Sequence, residues 1–177
     1  MVPEVIAWDP DRPDRLVLGS GSPEATAALG ALLAGLLRAN DVLSLDGGLG
    51  AGKTALTRGI AAGLRCQGQV SSPTFILLIE HPPGAGGLAL YHFDVYRLTG
   101  ADEFCEAGLD EYLETGGVCV VEWGGLLAGL LPPRTLSIRL YPTDPELPDR
   151  RRIELDWPGD PGRLTELVRL LAMNGEE

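Results

Sequence analysis

The stretch Gly47-Gly48-Leu49-Gly50-Ala51-Gly52-Lys53-Thr54 fits G-x-x-x-x-G-K-[ST] at every fixed position. Four of its eight residues are glycine, so backbone N–H groups can turn inward on an anion with no Cβ in the way, and a following helix adds the positive end of its dipole. In such a loop Lys53 lies along the β- and γ-phosphates as a compact charge, and the Thr54 hydroxyl ligates the Mg2+ that bridges them. The flanks agree with this reading. Asp41-Val42-Leu43-Ser44-Leu45 reads as a short buried parallel strand broken by Asp46-Gly47-Gly48, and Thr54 to Leu64 places Ala55, Leu56, Ile60, Ala61 and Leu64 at helical spacing. Strand, glycine loop and helix follow in the order the motif needs. Lys53 is also the only lysine, the other thirteen basic residues being arginine.

Working outward, residues 1–14 are proline-rich and acidic and read as an irregular lead-in, with Arg15-Leu16-Val17-Leu18 as an edge strand. Ser22-Pro23-Glu24 supplies an N-cap, a proline at the first helical position and an acid in the first turn, so a helix is expected to run to Leu37 or Arg38. Beyond the loop unit, Ile76 to Glu80 and Leu88 to Tyr96 read as a hairpin around His81-Pro82-Pro83-Gly84-Ala85-Gly86-Gly87. An acidic helical segment with a stop at Gly108 and a second short turn occupies 101–114. Val118-Cys119-Val120-Val121-Glu122 is then a continuous apolar run ending in a carboxylate, the pattern of a Walker-B strand. A short helix over Gly124 to Leu131 ends at Pro132-Pro133. Thr135 to Tyr141 and Arg151 to Trp157 alternate and pair antiparallel, and a helix from Pro161 to Met173 carries an apolar stripe.

The bulk properties restrict the partners. At 177 residues a single domain spanning residues 1–177 is expected, and a net charge of −11 argues against unaided binding to a nucleic-acid backbone, DNA included. Arg150-Arg151-Arg152 reads as a solvated strand start rather than a nucleic-acid patch. Cys66, Cys105 and Cys119 form no CxxC and suit the reduced cysteines of a cytoplasmic protein. His81 and His92 read as ordinary loop and strand histidines. No export signal is visible, and the apolar stretch Ala25 to Leu37 is about half the length of a membrane span.

Hydrolysis of a nucleotide also requires a carboxylate on the metal side and a group that orients water. Glu122, ending the more continuously apolar strand, is the metal-side candidate, and Asp94 is either a second metal-side group or the water-orienting base. A solvated carboxylate at a strand end is the plain alternative for each. Ser71, Ser72 and Thr74 follow the loop helix where a γ-phosphate switch would sit, with Thr74 the candidate sensor; a hydroxyl satisfying a local turn is its alternative. Trp123 is placed either to stack on the nucleotide or to pack as a core residue.

Taken together, Gly50 to Thr54 with Leu56-Thr57-Arg58-Gly59, Ser72-Pro73-Thr74-Phe75, His92-Phe93-Asp94-Val95-Tyr96-Arg97-Leu98 and Val121-Glu122-Trp123 resemble the TsaE (YjeE) family of small bacterial ATPases of tRNA threonylcarbamoyladenosine synthesis. The resemblance spans roughly residues 20–140 and implies phosphates on Gly50, Gly52, Lys53 and Thr54, a switch at Thr74, Asp94 and Glu122 near Mg2+, and Trp123 beside the nucleotide. It also implies partners, TsaD and TsaB, with tRNA reached only through their complex. One departure stands out, since the family commonly has an acidic residue at the position of Gly48.

The candidate nucleotide contacts are therefore Gly47, Gly48, Leu49, Gly50, Ala51, Gly52, Lys53, Thr54, Ala55, Thr74 and Trp123. Lys53, Asp94 and Glu122 are the candidate catalytic groups, and Thr54, Glu122 and Asp94 the candidate metal ligands. A small-molecule kinase and a nucleotide-gated binding module are competing readings, although no arginine-dense lid lies between residues 98 and 117. With one lysine, at Lys53, the chain cannot hold the Asn-Lys-x-Asp motif of GTPases, so ATP is the expected nucleotide. The expected fold is a three-layer α/β P-loop domain with a mainly parallel sheet and antiparallel strands toward the C-terminus.

Overall fold

A computed structural model describes residues 1–71 and 76–175. Its frame is one eight-stranded sheet: β1 (Glu4–Trp8), β2 (Arg15–Ser20), β3 (Val42–Asp46), β4 (Leu78–His81), β5 (Leu90–Asp94), β6 (Val118–Glu122), β7 (Leu136–Pro142) and β8 (Arg151–Asp156), in the spatial order β1-β2-β8-β7-β3-β6-β5-β4. The central pairs β7–β3, β3–β6 and β6–β5 are parallel, and both flanks are antiparallel. Helices α1 (Pro23–Ala34), α2 (Lys53–Gly63) and α4 (Pro161–Asn174) contribute to one apolar core, while α3 (Ala101–Glu106) and two 3-10 turns (Leu109–Glu114 and Gly124–Leu127) enclose a second.

The strand sequences follow from those two cores. Alternate side chains of a strand face opposite ways. In β6, Val118 and Val120 enter the first core, whereas Cys119 and Val121 enter the second. With both faces covered, every residue of β6 is buried, and its sequence reads as a continuous apolar run rather than an alternation. The same partition sends Leu43 and Leu45 of β3 to one side and Val42 to the other.

Several boundaries differ from the sequence expectation. Residues 1–14 are not wholly irregular: Glu4–Trp8 forms β1 and pairs antiparallel with β2, so β2 is an interior strand and β1 the sheet edge. Pro3 and Pro10 flank β1 without interrupting it, and four of its five residues are exposed, which removes the apolar signal that would have marked it. Helix α1 ends at Ala34, where Gly35, Leu36 and Leu37 close into i→i−3 bonds to Leu32, Leu33 and Ala34. The helix expected over Gly124 to Leu131 is a 3-10 turn of four residues, and β4 begins at Leu78 rather than Ile76. The two hairpins, β4–β5 and β7–β8, form as expected.

The contact that fixes α2, the helix behind the phosphate loop, is its crossing with α1. A Cβ on Gly59 would collide with the Ala27 carbonyl, one on Gly30 with the Leu56 carbonyl, and one on Gly63 with Ala31 and Ala34. Backbone therefore lies against backbone, an approach that only glycine allows. Gly59→Ala gains up to about 1 kcal/mol of helix propensity but must push α1 away, and overpacking of this kind costs about 1–3 kcal/mol. The expected outcome is net destabilisation, measured by urea unfolding, whereas Ala at exposed Gly175 should be close to neutral.

Candidate nucleotide site

Between β3 and α2 the chain makes the tight loop of residues 47–52. Gly47, Gly50 and Gly52 have φ of 151°, 70° and 106°, values that L side chains rarely adopt. A Cβ on Gly47 would also meet the Leu140 carbonyl of β7, so this residue is fixed as glycine twice over. By contrast a Cβ on Gly48 meets nothing within 4 Å, and the loop has room for the acidic side chain that this chain lacks.

A cavity of about 450 Å3 opens above the loop, lined by Leu49 to Ala55 on one side and by Asp94, Tyr96, Arg97, Glu122 and Trp123 on the other. The parallel register explains the meeting. Leu45 pairs with Glu122, which pairs in turn with Asp94, so the C-terminal ends of β3, β6 and β5 lie side by side and deliver the loop and both carboxylates to one place. Gly47 and Gly48 do not line the cavity but supply carbonyls beneath it. Thr74 lies outside the described residues.

Lys53 is 5% exposed, and its Nζ donates to the carbonyls of Gly47 and Gly48 at 2.8 and 3.1 Å. Burial pulls the ammonium's pKa below its ordinary value, and the charges of Glu122, Asp94 and Asp46 pull it back up. The same Nζ sits 4.5 Å from the Trp123 ring centroid, and that ring meets Tyr96 at 5.0 Å. Trp123 reaches this place because its backbone is left-handed, φ 62° and ψ 32°, a conformation worth about 1–3 kcal/mol of strain in a non-glycine residue. Its N–H still bonds to the Leu45 carbonyl at 2.8 Å, and the chain then turns at Gly124, where a Cβ would strike Ser44.

Glu122 is 3% exposed. Its Oε1 accepts from the Thr54 hydroxyl at 3.4 Å, the long end of hydrogen bonding, and lies 2.9 Å from His92 Nε2. An ionised carboxylate accepts from a protonated Nε2, and the buried Nδ1 has no hydrogen-bond partner among the described residues. His81 stacks 6.4 Å beyond, its buried Nε2 likewise without a partner among the described residues, and burial together with His92 lowers its pKa. Asp94 is more open, with Oδ1 accepting from the Tyr96 N–H at 3.1 Å. Asp46 is engaged structurally, accepting from Ser44 Oγ and Gly125 N–H, both at 3.1 Å.

Two participants escaped the sequence reading. His92, an ordinary strand histidine by its sequence, sits 2.9 Å from the buried carboxylate; its signals were its place in the His92-to-Leu98 motif and its period-2 relation to Asp94. Arg151 was read as part of a solvated triplet, and the structure corrects this for one residue of the three. Arg150 and Arg152 are exposed, Arg152 pairing with Glu154 at 2.8 Å, but Arg151 reaches the phosphate loop and donates to the carbonyls of Ala51 and Gly50 at 2.8 and 2.9 Å. Nothing in the triplet marks its middle member, because the contact spans 100 residues.

The arrangement holds a glycine loop at the start of α2, an ammonium, a hydroxyl and two carboxylates around one cavity, a set that suits a polyphosphate with a divalent cation. His92→Leu keeps the bulk but removes the close donor to Glu122, and leaving that carboxylate underpaired should cost about 1–3 kcal/mol in urea unfolding. In that background Glu122→Gln should cost less than it does alone, a coupling that a double-mutant cycle measures directly.

The chain is similar to known proteins of one family. The family model described as "Threonylcarbamoyl adenosine biosynthesis protein TsaE" matches residues 20–153. The tRNA threonylcarbamoyladenosine biosynthesis protein TsaE of Bacillus subtilis is 47% identical over 117 residues, covering 66% of this chain and 72% of that protein. The protein of the same name from Treponema pallidum is 43% identical over 121 residues, covering 68% and 87%. Among solved structures, the crystal structure of Bacillus subtilis YdiB superposes with a TM-score of 0.70 at 36% identity, covering 91% of this chain and 96% of that one.

Proposed function

Because this chain belongs to the TsaE family of threonylcarbamoyl adenosine biosynthesis proteins, we propose that it is a Mg2+-dependent ATPase supporting threonylcarbamoyladenosine modification of tRNA in the cytoplasm. The observation that carries this reading is the convergence of Lys53, Thr54, Asp94 and Glu122 on the cavity above the glycine loop. ATP is favoured over GTP because a chain whose sole lysine is Lys53 has no Asn-Lys-x-Asp motif. The whole of residues 1–177 acts as one catalytic domain.

The N–H groups of Gly50, Gly52, Lys53 and Thr54 at the α2 N-terminus bind the phosphates, and the Lys53 ammonium compensates negative charge developing on the γ-phosphoryl group. A bound Mg2+ would neutralise charge on the β- and γ-phosphates. Thr54 and Glu122 would hold it, Glu122 through a water, while His92 keeps the Glu122 carboxylate aimed at the cavity. Asp94, more open, orients the attacking water or serves as a further metal-side group. Trp123 and Tyr96 provide the aromatic wall beside the nucleotide, and Thr74 senses the γ-phosphate. The partners are the TsaD and TsaB proteins, with tRNA met only through their complex; a chain of net charge −11 has little affinity of its own for a polyanion.

The test is ATP turnover by the purified chain, with and without the TsaD and TsaB proteins of its host. Turnover is expected to be slow alone, faster with the partners, and lowered about 100-fold or more by Lys53→Ala and by Glu122→Ala. Absence of stimulation, with phosphoryl transfer only to an added small-molecule acceptor, would replace this reading with that of a kinase.

A further inference from the structure

Arg151 opens β8 and is tied into the sheet on both sides, pairing with Pro142 of β7 and Ser20 of β2. Its guanidinium is committed to backbone carbonyls. Nε donates to Ala51 and Nη2 to Gly50 of the phosphate loop, while Nη1 donates to Pro148 and Arg150 of its own loop. Among the described residues it forms no ion pair, although it lines the cavity above the glycine loop. A cation that spends four N–H groups on neutral carbonyls has a geometric task rather than an ion-pairing one.

That task follows from peptide geometry. In a trans peptide the C=O and the N–H point in opposite directions. Holding the Ala51 carbonyl on Arg151 therefore turns the Gly52 N–H the opposite way, and holding the Gly50 carbonyl does the same for the Ala51 N–H, which closes the turn onto Gly48 at 3.1 Å. A loop rich in positive-φ glycines has many alternative conformations. We infer that Arg151 is a positioning residue of the phosphate site, a clamp from the sheet that holds residues 50–52 in the anion-binding conformation before any nucleotide arrives. The inference rests on the nucleotide reading above but extends it to a residue 100 positions from the loop.

The test compares the whole chain carrying Arg151→Ala, Arg151→Lys or Arg152→Ala with the natural sequence, using two readouts. In nucleotide-free protein, amide hydrogen exchange over residues 47–53 should be faster in both Arg151 variants, with β3 and β6 unchanged and Arg152→Ala unaffected. By titration calorimetry, Arg151→Ala should weaken MgATP binding about 10- to 100-fold. Arg151→Lys keeps the charge but replaces the rigid fork, whose Nε and Nη2 reach Ala51 and Gly50 from separate atoms, by a single nitrogen on a flexible stem, so it should recover less than half of that loss on a logarithmic scale. Full recovery by Lys, unchanged loop exchange, or faster exchange across the entire sheet would each overturn the clamp. If the natural chain fails to bind MgATP, the nucleotide reading falls, while loop exchange still decides whether Arg151 holds the loop.

Discussion

A lysine ammonium withdrawn from water must be compensated, and much of the site can be read as the means by which this chain compensates Lys53. Desolvation works against its charge; the Gly47 and Gly48 carbonyls, the Trp123 face and the nearby carboxylates work for it. Only the carbonyls and Asp46 among those groups are local to Lys53. Glu122 and Asp94 arrive only if β3, β6 and β5 are parallel neighbours in the observed register, and Trp123 arrives only through a left-handed residue at the end of β6. A charge that must be buried to act on phosphates thus constrains strand order, register and one unfavourable backbone conformation together.

The scaffold meets that constraint by rigidity around a flexible loop. Glycine permits the loop's conformation without enforcing it, so its surroundings must do so. Strand β3 is buried on both faces, α2 is locked to α1 through backbone contact at Gly30, Gly59 and Gly63, and Arg151 grips the loop carbonyls from β8. The sheet's antiparallel flanks gain a purpose here, since β7 backs Gly47 through the Leu140 carbonyl and β8 carries the arginine.

What could be read from the chain was whatever the chain expresses locally. The phosphate loop, the continuous apolar run of β6 and the β4–β5 and β7–β8 hairpins each carry their signal in contiguous sequence, and their architecture emerged as expected. The family was legible for the same reason, through four short motifs in order. Strand β1 was not, because an exposed edge strand needs no apolar alternation. His92 and Arg151 were not, because their meaning lies in partners 30 and 100 residues away, and histidine and arginine look the same in sequence whether they face water or a buried site. Nor does a sequence announce that Trp123 is left-handed, a conformation imposed by the turn into Gly124.

The most direct measurement of the account is a crystal structure of the chain with Mg2+ and a non-hydrolysable ATP analogue. The triphosphate is expected in the cavity above the glycine loop, with Lys53 Nζ turned from the Gly47 and Gly48 carbonyls toward phosphate oxygens, the metal held by Thr54 and Glu122, and the loop backbone unmoved. A nucleotide bound elsewhere, or one bound here with Lys53 still folded onto the loop carbonyls and Glu122 away from the metal, would contradict it.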